Sequence, residues 1–160
     1  MKKTITLMLV ITVVCLGAIG YVLLSQTAPQ EDNTAYAQGS NWEYMTELLA
    51  RCVNGEARGE SYVGQVAVAA VILNRVNHPS FPDSIAGVIY QPGAFTAVSD
   101  GQINVPISHN SQVYKACQDA MNGWDPSGGA IYYYNPRTAT SRWIFNRPII
   151  TTIGNHVFCR

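Results

Sequence analysis

The sequence predicts an α+β domain, mostly helical, with a small antiparallel β-sheet near its C-terminus. Three observations predict it. The run from Val66 to Leu73 is apolar on every side of a helix, as in a helix buried by its neighbours on all sides. Two flanking stretches carry apolar residues at three- and four-residue spacing behind residues that cap helices. The last third turns to tyrosines, β-branched residues and Gly-Asn punctuation, which is strand and hairpin chemistry.

The elements follow in order. Lys2 and Lys3 precede an uncharged run from Thr4 to Leu24, which reads as a secretory signal peptide or a membrane anchor. Ala35-Tyr36-Ala37 matches a small-x-small cleavage site. Export with cleavage there is the favoured expectation, and an uncleaved anchor is its alternative. Residues from about Ser25 to Ser40 lack periodicity and read as a linker. The expected division is 1–37 for targeting and linker and 38–160 for the domain. Asn41 is placed to cap a first helix to about Ala57, and Ser61 a second that His78-Pro79 ends. Pro82-Asp83-Ser84 opens a short third helix to about Tyr90, and Gln91-Pro92-Gly93 turns the chain.

Phe95 to Val105 reads as a ribbon or loop around Asp100-Gly101, a hairpin dipeptide. Ser111 caps a helix with the stripe Val113, Ala116, Cys117, Ala120 and Met121, closed by Gly123. Ile131 to Tyr134 reads as a strand, and Trp143-Ile144-Phe145 as a second. Ile149 to Ile153 and His156 to Cys159 flank Gly154-Asn155 as a hairpin.

Composition excludes some functions. Formal net charge is zero, so nothing favours nucleic acid or anionic lipid. Only 12% of residues are charged while nine are tyrosine, against about 25% charged in ordinary soluble domains. Such a surface suits a neutral polar ligand, carbohydrate above all. His78, His109 and His156 are scattered and fit no metal-ligand spacing, so no metal or other cofactor is expected. Beyond Cys15 in the targeting segment, Cys52, Cys117 and Cys159 have no paired spacing and read as buried apolar thiols. A Cys52 nucleophile lacks a local signature and would need a histidine from far along the chain.

The candidate catalytic residue is Glu56. At helical spacing Trp42, Met45, Leu49, Cys52 and Val53 share one stripe, and Glu56 continues it. A carboxyl in that position loses hydration, which favours its protonated form, as a general acid requires. The alternative is a helix end, stopped by Gly55 and Gly59, from which Glu56 reaches solvent. Glu60 lies four residues on. In a continuous helix its Cβ would sit about 5–6 Å from that of Glu56, near the spacing of a retaining glycosidase pair, but Gly59 disfavours that continuity. On a strand, Tyr132 and Tyr134 share one face and Tyr133 takes the other; one face packs on the core and the other floors a saccharide groove.

Several segments together resemble a known family: Val53-Asn54-Gly55-Glu56-Ala57-Arg58-Gly59-Glu60, the run Gly64 to Val76, Pro92-Gly93-Ala94-Phe95, Asn122-Gly123-Trp124-Asp125-Pro126, Tyr133-Tyr134-Asn135-Pro136 and Ile153 to Cys159. They resemble the catalytic domain of SleB-type spore cortex-lytic enzymes, a cell wall hydrolase family, from about Leu48 to Arg160. The peptidoglycan-binding repeat domain of the full-length cortex enzymes has no counterpart in the resemblance. The resemblance implies a lysozyme-like fold related to lytic transglycosylases, with Glu56 as the single catalytic carboxylate. It implies cleavage between muramic acid and N-acetylglucosamine, with peptidoglycan strands as the partner and an extracytoplasmic location. Arg58, Glu60, Gln102, Trp124, Tyr133, Tyr134 and Asn135 are the residues expected to line the groove, and Phe95 is expected in the core. The competing readings are a muramidase that uses water, with Glu60 or Asp100 as second carboxylate, a silent peptidoglycan-binding module, and a cysteine peptidase.

Overall fold

The structure, a computed structural model, describes residues 33–160, with side chains from Gln38 onward. The apolar run at Thr4 to Leu24 and the Ala35-Tyr36-Ala37 site lie outside the residues whose side chains are described. Gln38 to Arg160 form one compact unit. Its helices are α1 (Asn33–Ala57), α2 (Tyr62–Val76), α3 (Ile85–Ile89), α4 (Thr96–Ser99) and α5 (Gln112–Met121). The strands β1 (Tyr132–Tyr134), β2 (Ile149–Ile153) and β3 (His156–Cys159) make one antiparallel sheet in the order β1-β3-β2. No helix among the described residues is long and apolar enough to cross a membrane.

The predicted class holds, and α2 is its centre. Ser61 accepts from the Gly64 N–H and caps the helix, and Val66, Ala67, Val68, Ala69, Val71 and Ile72 are all fully buried. A helix with that composition has no face for water, so it packs on α5, α3 and the sheet. Helix α5 is capped by Ser111 as expected, and its stripe of Val113, Ala116, Cys117 and Ala120 enters the same core. From α1, Leu48, Leu49, Cys52 and Val53 complete it. Phe95 is buried in that core.

Four expectations fail. The stretch read as linker is helical from Asn33, so Asn41 is an interior residue of α1 and not its cap. Trp42, assigned to the buried stripe, is 44% exposed, and the buried face of α1 begins at Thr46. Phe95 to Val105 is no ribbon: α4 and a 3-10 turn (Gln102–Asn104) occupy it. A two-residue hairpin of type I′ needs φ > 0 at both central positions, but Asp100 has φ −95° and only Gly101 is left-handed, at 82°. Gly101 therefore ends a helical turn. Trp143-Ile144-Phe145 lies in a 3-10 segment (Arg142–Asn146) and pairs with no strand.

β3 is the inner strand, buried at all four positions. It pairs Tyr133 with Phe158 on one side and Ile153 with His156 on the other. This places the tyrosine strand over the end of α1.

Candidate active site

Glu56 occupies the last turn of α1 and is half-buried. The helix stops one residue later, where the Glu60 N–H bonds to the Ala57 carbonyl. Both carboxylate oxygens are held. Oε1 accepts from the Ala97 backbone N–H at 2.8 Å, and Oε2 accepts from the Tyr133 hydroxyl at 3.0 Å. Ala97 lies in the first turn of α4, where a backbone N–H has no partner within the helix. The approach of α4 depends on Gly55, since a Cβ there would meet the Ala97 Cβ at 2.5 Å.

Tyr133 points inward, as strand alternation requires, and Tyr132 and Tyr134 point to the other face. Burial first, then the charge of Glu56, pushes the Tyr133 phenol well above its ordinary range. It therefore remains a hydroxyl, able to donate. Its ring rests on His156, 5.0 Å between centroids at 64°, and on Phe158. Burial lowers the pKa of His156 against the opposing pull of Glu60 and Glu56, and its Nδ1 is sealed without a hydrogen bond.

Glu60 does not pair with Glu56. Its carboxylate accepts from the Asn155 backbone N–H at 3.0 Å and from Asn155 Nδ2 at 2.9 Å, tying the end of α1 to the β2–β3 turn. Asp100 accepts instead from the Gln102 N–H, at 3.0 Å. Neither carboxylate shares a hydrogen-bond partner with Glu56. Arg58 Nη1 donates to Gln102 Oε1 at 2.8 Å on the exposed rim, so those two groove candidates meet. Asn135 shapes the turn after β1, its Oδ1 accepting from the Arg137 N–H. Trp124 packs on Tyr62 and is not in the aromatic cleft.

That cleft, of about 460 Å³, opens against β1. Tyr132 meets Trp143 edge-on and Tyr134 meets Phe145, each pair 5.2 Å between centroids. Gln91, Thr138 and Ser141 add neutral polar groups, and Arg75 lies at its floor. Tyr133 belongs both to this cleft and to the Glu56 cluster.

Three groups beside Glu56 and the cleft are not among the groove residues expected from sequence: the Ala97 N–H, His156 and Arg75. A backbone donor leaves no side-chain signature, and spacing says nothing of what the Arg75 and His156 side chains face. Among the described residues no group of three His, Cys, Asp or Glu side chains converges as a metal site would. Cys52 is buried, and burial and Glu56 raise its thiol far above the ordinary range. Such a thiol is a poor nucleophile.

Known proteins resemble this chain in sequence and in fold. The family model described as Cell Wall Hydrolase matches residues 59–159, beginning three residues after Glu56. A spore cortex-lytic enzyme of Bacillus cereus is 54% identical over 144 residues, which cover 90% of this chain and 54% of that protein. The chain thus spans about half the length of that relative. The crystal structure of the catalytic domain of the Bacillus cereus SleB protein superposes with a TM-score of 0.69 at 58% identity, covering 74% of this chain and 91% of that one. The catalytic domain of the germination-specific lytic transglycosylase SleB from Bacillus anthracis also gives 0.69 at 58% identity, with 72% and 93% covered.

Proposed function

The chain belongs to the cell wall hydrolase family, and from that premise we propose that it cleaves the glycan strand of spore-cortex peptidoglycan between muramic acid and N-acetylglucosamine. The reaction we infer is a lytic transglycosylation that leaves 1,6-anhydromuramic ends, carried out beyond the cytoplasm. The observation that carries the proposal is the setting of Glu56: one carboxyl held by Ala97 and Tyr133, while Glu60 and Asp100, the candidates for a second carboxylate, bond to other groups. A hydrolase that activates water with a second carboxylate needs two such groups. A transglycosylase needs one.

In the proposed step, protonated Glu56 gives its proton to the bridging oxygen as the bond from muramic C1 to that oxygen breaks. The glucosamine end leaves as an alcohol. The muramic C6 hydroxyl then attacks C1, and the Glu56 carboxylate takes its proton, which closes the anhydro ring and restores the acid. The Ala97 N–H can only donate, so Oε1 remains an acceptor and the proton belongs on Oε2. The Tyr133 hydroxyl can donate to the carboxylate or turn and accept from the acid. One contact therefore serves both protonation states.

The test is mass spectrometry of fragments released from decoated spore cortex and, in parallel, from vegetative wall. Anhydromuramic ends are expected. Reducing, hydrated ends would establish a hydrolase, and binding without release would establish a binding module. Replacing Glu56 by Gln should lower release by roughly 10²–10⁴-fold, the usual worth of a general acid and base, while the protein still folds.

A further inference from the structure

Arg75 is a buried cation whose outer donors bond to nothing among the described residues. It sits in the last turn of α2, is 8% exposed, and donates from Nε to the Ile131 carbonyl at 2.7 Å. The rings of Phe81, Phe95 and Tyr132 lie 5.2–5.6 Å from Cζ. Neither Nη1 nor Nη2 makes a hydrogen bond, and Arg75 is in no ion pair among the described residues. These nitrogens are not sealed away, because among the described residues His156 Nδ1 is the one wholly buried side-chain polar atom without a hydrogen-bond partner. Arg75 is the only charged residue among those lining the aromatic cleft, and the Arg147 guanidinium covers its Tyr132 and Trp143 rings at 4.8 and 5.1 Å from their centroids.

Burying a guanidinium with unused donors is unfavourable unless something completes it. The three rings attract the cation through their faces but use none of its N–H groups. The completing group comes from the cleft, water when no ligand is bound. A guanidinium edge presents two parallel donors suited to sp² oxygen, and no acid in the cleft lining competes for them. We propose that Arg75 is a substrate-binding residue that receives an acyl oxygen, a carbonyl or carboxylate borne on a sugar ring. This rests on reading the chain as a glycan-cleaving enzyme. Wall glycan offers such oxygen from two sources, the acetamido group and the lactyl arm of muramic acid.

Trp143 provides the readout, since it lies in the cleft against Tyr132. Its fluorescence would be titrated on the full chain with three probes: N-acetylated chitopentaose, cellopentaose, which keeps a β-1,4 backbone without acyl groups, and the glucosaminyl-N-acetylmuramic disaccharide. An acylated probe should bind at least about tenfold more tightly than cellopentaose, the share of a charge-assisted hydrogen bond. Preference for chitopentaose would assign the acetamido oxygen, and preference for the disaccharide alone the lactyl arm. Equal titration by all three, or by none, overturns the subsite. With Arg75→Lys the preference should shrink about tenfold, and KM for soluble wall fragments should rise with kcat nearly unchanged. A stability loss with KM unmoved would show that Arg75 only ties α2 to β1. If Arg75→Lys fails to fold, the probe comparison on the unaltered chain still decides. Failure to release fragments from any wall would instead refute the glycan-cleaving reading, whatever the titration shows.

Discussion

The Tyr133 hydroxyl lies 3.0 Å from Glu56 Oε2, joining residues 77 positions apart. Replacing Tyr133 by Phe removes that bond and leaves the ring contacts with His156 and Phe158. Turnover should fall about tenfold, as expected for one hydrogen bond to a charged group, with unfolding stability changed by about 1 kcal/mol or less. Rates of fragment release beside urea unfolding would check both. An unchanged rate would confine Tyr133 to packing.

Gly55 lets α1 and α4 touch. In an open helix, Gly to Ala gains about 1 kcal/mol from propensity. Here the added methyl would sit 2.5 Å from the Ala97 Cβ and 3.1 Å from the Gln102 Cβ, and overpacking of that kind costs about 1–3 kcal/mol. Overlap should win. Gly55→Ala is expected to be net destabilised and to lose activity, because moving Ala97 withdraws the N–H from Glu56. A more stable, fully active variant would show that α4 shifts freely.

Burial raises the Glu60 pKa, but the hydrogen bonds from Asn155 and the proximity of His156 outweigh it and leave the group below its ordinary value. A carboxyl depressed in the folded state stabilises the protein above its unfolded pKa, about 4.3–4.5, and that stability is lost as pH falls through the folded value. Melting temperature should therefore drop more steeply below about pH 4.5 in the unaltered chain than in Glu60→Gln. Parallel melting curves from pH 6 to pH 3 would show it. Identical slopes would mean that the Asn155 contact is not formed in solution.

Cys52, Cys117 and Cys159 are free and buried, and burial raises all three thiols. Alkylating reagent should label none of them in the native protein and all of them in denaturant, as read by peptide mass spectrometry. Activity should survive native treatment. Rapid labelling of Cys52 with loss of activity would revive the cysteine peptidase reading.

Much of the fold was legible because local signals and global packing agreed. Ser61, Ser84 and Ser111 each accept the hydrogen bond that caps the helix they precede, and the all-apolar run marked α2 as central. The misreadings arose where two local structures share one composition. Trp143 and Phe145 suit a strand by propensity, yet a strand also needs a partner edge, and β1 already pairs with β3. Asp100-Gly101 suits a hairpin or a helix end, and the φ of Asp100 decides. Period and motif single out Glu56 and Tyr133, and the structure brings the two together. Glu60 was placed near the groove, but its bond to Asn155 spans 95 positions, which no local pattern reports. Arg75 was hidden for a similar reason, since its meaning depends on which donors stay unspent after packing.

The bonds that fix Glu56 and its surroundings reach 41, 77 and 95 positions along the chain. Each such closure has its entropic cost before the contact forms. No fragment ending before the tyrosine strand and hairpin can form the contacts that hold Glu56, however well its helices form. Activity should therefore vanish together with global structure in denaturant, with no window in which a half-folded chain still cuts. Any cleavage that depends on Glu56 should therefore wait for the last strands to close.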